Sequence, residues 1–140
     1  MNTDLIDIKI RAVEGGVTAA AGFKAAGIHA GFRKNPERLD YALVVPDKPC
    51  PGAGVFTTNR FCAAPVQVSR ANLGGADKGY GIIAGISINS GNANAATGET
   101  GLACARETCN IASQVIGCEP QQILVASTGV IGQILPIEDR

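Results

Sequence analysis

No tryptophan occurs in these 140 residues, and the other aromatics amount to two tyrosines and four phenylalanines. A core built on large rings is therefore excluded. Eighteen glycines and many alanines point instead to close backbone packing and frequent tight turns. Net charge is missing too: twelve basic residues balance twelve acidic ones, and like charges never form a block. The electrostatic footprint of a nucleic-acid binder is thus absent. Apolar residues come in short runs, none long enough to cross a bilayer, and Met1-Asn2-Thr3-Asp4 lacks the basic and then apolar regions of a signal peptide. These absences read as a cytoplasmic protein without a membrane partner. The five cysteines, Cys50, Cys62, Cys104, Cys109 and Cys118, are odd in number and contain no Cys-x-x-Cys. Neither a disulfide framework nor a metal site is expected; free, mostly buried thiols are.

What is present suits one α/β domain over residues 16–140, preceded by an arm or strand over residues 1–15. Asp4 to Val13 alternates, with Ile6, Ile8 and Ile10 opposite Asp7, Lys9 and Arg11, the period of a half-buried strand. From Val17 to Phe32 glycines interrupt the alanines, so short turns and strands are expected rather than a helix. His29, the only histidine, is a candidate general base by its ordinary pKa. No nucleophile motif accompanies it, which favours a structural or surface role. Asn35-Pro36 marks a turn, and Tyr41 to Val45 reads as a strand stopped by Pro46. A loop from Asp47 to Gly54 follows, and then two strand-like segments, Val55 to Arg60 and Val66 to Ser69. Lys48 and Arg60 have the charge to bind a carboxylate, yet isolated basic residues are usually solvated, and no role is assigned to them.

After a loop at Asn72 to Gly79, Gly81 to Ile88 is a continuous apolar run of the kind found in a central strand. It enters Asn89-Ser-Gly-Asn-Ala-Asn-Ala-Ala-Thr-Gly98, whose amides can cradle an anion or hold neighbouring backbone. Neither the Walker ending nor the Gly-x-Gly-x-x-Gly spacing is there, so no nucleotide cofactor is expected. Next comes a helix: Thr97 or Thr100 can cap it, Glu99 suits its first turn, and Gly117 with Pro120 ends it. Leu102, Ala105, Cys109, Ala112 and Ile116 form its apolar stripe. Cys104 is a nucleophile candidate without a paired histidine, and the packing reading is preferred. Glu119-Pro120 starts a second short helix. Ile123 then opens Leu124-Val-Ala-Ser-Thr-Gly-Val-Ile-Gly132, read as a buried strand ending in a tight turn at Gly129. Strand, helix, strand in this order is a βαβ unit. The hydroxyls of Ser127 and Thr128 and the adjacent N–H groups can face one point, which suits a developing oxyanion, although Ser-Thr-Gly after a strand is also common turn chemistry.

Together, Lys24-Ala-Ala-Gly-Ile28, Gly54-Val-Phe-Thr-Thr-Asn-Arg60, Ala63-Ala-Pro-Val66, Asn89-Ser-Gly-Asn-Ala-Asn94 with Thr97-Gly98, and Ala126-Ser-Thr-Gly-Val-Ile-Gly132 resemble the ornithine acetyltransferase (glutamate N-acetyltransferase) family of arginine biosynthesis. The likeness extends from Gly16 to Asp139; Ala20 stands where proline is usual and Ala96 where cysteine is usual. It implies a layered α/β fold of the self-cleaving aminopeptidase and ornithine acetyltransferase type. It implies Thr128 and Gly129 as the oxyanion hole, with no cofactor and no metal. Family members cut themselves before an internal threonine, and this new N-terminus carries acetyl from N-acetyl-L-ornithine, or acetyl-CoA in bifunctional members, to L-glutamate. On that pattern the threonine lies beyond Arg140, and Thr97, Thr100 and Thr128 are not it. The chain is then the larger part of an α chain, partnered by a β chain in a tetramer of two α and two β chains, and inactive alone. The related self-cleaving aminopeptidases and a non-catalytic fragment are the alternatives.

Overall fold

A computed structural model describes residues 11–75 and 77–137. The alternating segment expected from Asp4 lies, up to Ile10, outside the described residues. A four-residue 3₁₀ turn, Gly16–Ala19, precedes β1, Phe23–Ile28, and β2, Tyr41–Pro46. The chain continues through β3, Cys50–Ala53, α1, Ala64–Asn72, β4, Tyr80–Ile83, and β5, Gly85–Asn92. It closes with α2, Gly98–Ile116, a 3₁₀ turn at Pro120–Gln122, and β6, Ile123–Val130. The main sheet has four strands in the order β1-β2-β5-β6, and β3 pairs with β4 in a separate two-stranded sheet. Pairs β1–β2 and β2–β5 are antiparallel. β5–β6 is parallel, as the α2 crossover requires, so the α/β class and the βαβ unit both hold.

Helix α2 forms where expected. It ends at Gly117, whose φ of 81° places it in the left-handed region and lets its N–H donate to Ser113 O at 2.8 Å, the usual use of glycine past a helix end. Thr97 does stand before the helix, but its hydroxyl donates to Asn94 Oδ1 at 2.8 Å and makes no cap to the helix backbone. The buried stripe Ala105, Cys109 and Ala112 meets Ile123 and Val125 of β6 and Ala64 and Val68 of α1. Ile123 is fully buried, which stabilises the fold by about 1.5–3 kcal/mol. Because these helix residues are small, α2 packs closely on β6, while toward β1 and β2 an apolar hollow remains between the helix residues Thr108, Ile111, Ala112 and Val115 and the rings of Phe32 and Tyr41.

Four expectations about the elements before α2 fail. Val66 to Ser69 is helical, not extended: four residues cannot separate a period of two from one of 3.6, and Pro65 in the first turn starts α1 because it lacks an N–H that the helix start leaves unpaired anyway. Ala64, Val68, Ser69 and Asn72 then share the face toward β6. Val55 to Arg60 pairs with no strand; the side chains of Thr57 and Asn59 instead accept the N–H groups of Asn59 and Phe61, holding a turn-rich loop. Within the expected loop from Asp47 to Gly54, β3 forms, with Pro51 tolerated because its sheet has only edge strands. Finally, the apolar run from Gly81 to Ile88 is two strands in two sheets, broken at Ala84. Apolar character marks burial and carries no information about which sheet a strand joins.

Candidate active site

The Ser-Thr-Gly segment is not a turn. β6 runs straight through Ser127, Thr128 and Gly129 to Val130, and only its first half is buried. The register shifts at Asn92, which faces both Thr128 and Val130; this is a bulge, of the kind that re-aims a strand end. Gly129 has φ +136°, and a Cβ there would collide with the Gly91 carbonyl carbon. Glycine is needed at 129 by conformation and by close approach together.

Helix α1 lies along the outer edge of β6 and satisfies its backbone. The Ser69 hydroxyl accepts from Val125 N–H at 2.9 Å and donates to Val125 O at 2.7 Å. Asn72 Nδ2 donates to Ile123 O at 2.7 Å. Odd-numbered residues of β6 thus turn their peptide groups outward, while Val130 O accepts from Ala93 N–H on the β5 side at 2.9 Å. The same alternation turns the N–H groups of Ser127 and Gly129 to the outer edge. From Ser69 back to Ala64 the helix rises about 7.5 Å, little more than two strand residues. Gly129 is exposed, and at the start of α1 the Ala64 N–H donates to Asn94 O at 3.3 Å. Thr128, exposed, makes no hydrogen bond from its hydroxyl among the described residues. Its side chain is on the sheet face opposite α2, in the row of Ser90. A hydroxyl with no partner among the described residues, beside an exposed glycine on an edge strand, is a donor available to an anion.

The asparagine loop beside them resolves between its two readings. Asn89 Nδ2 donates to Asn92 O at 2.8 Å, Asn92 Nδ2 to Gln133 O and Ile134 O at 3.2 and 3.1 Å, and Asn94 Nδ2 to Gly101 O at 2.8 Å. Every one of these amides is spent on backbone, so the loop is a brace and not an anion cradle. Asn94, fully buried, also accepts the Thr97 hydroxyl on Oδ1 and donates its own N–H to Asn92 Oδ1 at 2.7 Å. Two non-glycine residues, Asn94 and Ala96, take left-handed φ values of 45° and 57°, conformations that cost free energy and persist only where surroundings hold them.

The remaining candidates fall elsewhere. His29 Nδ1 lies 3.1 Å from Arg38 O and 3.3 Å from Asp40 Oδ2, a tethered residue of the loop after β1. Cys104 Sγ contacts Leu135 O at 3.5 Å. Burial pushes the Cys109 thiol up to about 11, which makes it inert. Arg60 lines an open, basic hollow with Arg70 and Lys78 on the outer side of α1, and Lys48 is exposed. No group of three or more metal-ligating side chains occurs among the described residues. No described helix is long and apolar enough to cross a membrane. Sequence reasoning missed Ser69 and Asn72, which seal the edge of β6; their spacing of three is the one signal that a helical reading of α1 would have exposed.

The ArgJ family model matches residues 24–140. The chain belongs to the ArgJ family. It is 46% identical over 126 residues to the arginine biosynthesis bifunctional protein ArgJ of Dehalococcoides mccartyi, covering 89% of this chain and 30% of that protein. It is 48% identical to the protein of the same name from Thermosynechococcus vestitus, covering 90% and 29%. Among solved structures, the ArgJ protein of Bacillus halodurans superposes with a TM-score of 0.79 at 35% identity, over 89% of this chain and 62% of that one. Ornithine acetyltransferase from Mycobacterium tuberculosis, complexed with ornithine, gives 0.76 at 38% identity, over 89% and 64%. The layered ornithine acetyltransferase fold is thereby established. The chain spans about 30% of the length of these two sequence relatives.

Proposed function

We propose that this ArgJ-family chain supplies the oxyanion donors, Thr128 and Gly129, for acetyl transfer from N-acetyl-L-ornithine to L-glutamate, in the complete protein. The reading is supported by the outward direction that strand alternation gives the Gly129 N–H, beside an exposed Thr128 whose hydroxyl has no partner among the described residues. In the reaction a threonine hydroxyl, at an N-terminus made by self-cleavage outside this segment, adds to the acetyl carbonyl while its own amine takes the proton. The carbonyl oxygen becomes an oxyanion between the two donors. Collapse breaks the C–N bond, and ornithine leaves with a proton on its amine. The glutamate amine then adds to the acetyl ester, the same donors hold the second oxyanion, and N-acetylglutamate leaves with the threonine restored. Acetyl-CoA enters as an alternative donor in the first half. The working particle is two α and two β chains in the cytoplasm, with this segment in α.

A relative's complex with ornithine supports an amine of this shape as leaving group. The test is made on the complete protein. Incubation with N-acetyl-L-ornithine and L-glutamate should release ornithine and N-acetylglutamate in equal amounts, and hydroxylamine should intercept the acetyl group. Hydrolysis of short peptides with no ornithine released would replace this reading with that of a self-cleaving aminopeptidase.

A further inference from the structure

Asp40, in the turn between β1 and β2, is 2% exposed although it carries a carboxylate. Such burial is costly unless the charge is paired or hydrogen-bonded. Here it is: Oδ1 accepts Ala30 N–H at 2.6 Å and Oδ2 accepts Arg33 N–H at 2.7 Å, so the two oxygens clamp the loop of residues 29–33. The main chain of Asp40 also ties two strands, donating from N–H to Ile28 O at 3.0 Å and accepting Ser90 N–H on its own carbonyl at 2.8 Å. From the clamped loop, Arg33 Nε reaches Ser90 Oγ at 3.0 Å.

That loop presses on the site. A Cβ on Gly91 would come 2.8 Å from Phe32 O and 3.0 Å from Arg33 Cγ, and a Cβ on Gly129 would strike the backbone of Gly91. Loop, Gly91 and Gly129 are therefore three backbones stacked without side chains between them, and a shift of the first is passed to the third. We propose that Asp40 is a positioning residue for the Gly129 donor, acting through the loop of residues 29–33 and Gly91. The proposal rests on the oxyanion reading of Thr128 and Gly129. Arg33 and Ser90 form a second strap on the same stack.

The experiment is a cycle in the complete protein: Thr128→Ala, Asp40→Asn and the double variant, each measured for kcat, KM, melting temperature and chain assembly. Asn keeps the size and one acceptor oxygen but loses the second. Since a displacement near 1 Å costs up to about a hundredfold in rate, Asp40→Asn should lower kcat by roughly ten- to thirtyfold, with KM within about threefold. A residue acting through the oxyanion donors gives less than additive losses, so the double variant should fall within about threefold of Thr128→Ala alone. If Thr128→Ala slows the enzyme but the two losses multiply, Asp40 is merely structural and the proposal is overturned while the oxyanion reading stands. If Thr128→Ala has no effect, the oxyanion reading fails and takes the proposal with it. Should Asp40→Asn not assemble, Arg33→Met and Ser90→Ala, on either side of one hydrogen bond, replace it. Each is expected to lower kcat by about three- to tenfold at constant KM, and unchanged kcat in both overturns the proposal.

Discussion

Replacing Gly129 with alanine tests the backbone contact at the end of β6. Two costs add. An L-residue at φ +136° is held in a sparsely populated region at about 1–3 kcal/mol. The new methyl also meets the Gly91 carbonyl carbon and its neighbours, and such overpacking costs about 1–3 kcal/mol. The neighbour cannot withdraw easily, because Gly91 is itself backed by Phe32 O. A total of about 4 kcal/mol corresponds to a drop of roughly 10 °C in melting temperature for a domain of this size or larger. Gly132→Ala is the control: its φ of 80° is equally left-handed, but nothing lies within 4 Å of the added Cβ. It should cost about 1 kcal/mol, the conformational part alone. Thermal melting of the two variants in the complete protein decides the matter. If they melt within about 3 °C of each other, the stacked contact between Gly91 and Gly129 does not constrain the strand and the reasoning fails.

Cys109, buried and with its thiol pushed up to about 11, should be alkylated far more slowly in the native protein than the half-buried Cys62, since only about one in a thousand such thiols is ionised at pH 8; equal labelling rates by mass spectrometry would contradict its packing role. Burial alone would raise the Asp40 carboxyl, but the N–H groups of Arg33 and Ala30, with His29 and Phe32 N–H, bring it below 3.8. The unfolded chain then takes up a proton first on acidification, so the stabilisation is whole above about pH 5 and is lost as pH falls through 3.8 toward the lower folded value. The melting-temperature gap between wild type and Asp40→Asn should accordingly narrow from pH 6 to about pH 3, and a constant gap would show that the carboxylate charge is not what holds the loop.

Elements with a repeating signal were legible in the sequence. The stripe from Leu102 to Ile116 and the glycine after it defined α2, and Tyr41 to Val45 defined β2, because each pattern is long enough to fix its period. Val66 to Ser69 was not legible, since four residues fit both periods and what marks the helix is Pro65 in its first turn and Ser69 facing Val125. The break at Ala84 was hidden because Gly81 to Ile88 is apolar throughout while its two halves join different sheets. At the site, residue types pointed to Thr128 and Gly129, and the family resemblance gave them a role. Their setting was invisible: that β6 continues past them, that α1 seals the edge of β6 at Val125 and Ile123, and that Asn89, Asn92 and Asn94 spend their amides on backbone all depend on contacts between distant segments. Asp40 was passed over for the same reason, as a polar residue in a polar stretch, and only its burial against Ala30 and Arg33 sets it apart.

The most direct test of the account is the turnover of the complete protein carrying Thr128→Ala, with N-acetyl-L-ornithine and L-glutamate at saturation. Loss of one oxyanion donor is predicted to lower kcat by about two to three powers of ten, with assembly and melting temperature unchanged because the Thr128 hydroxyl holds nothing in the described fold. A fall of less than about tenfold in a correctly assembled protein would contradict the assignment of Thr128 and Gly129 as the donors.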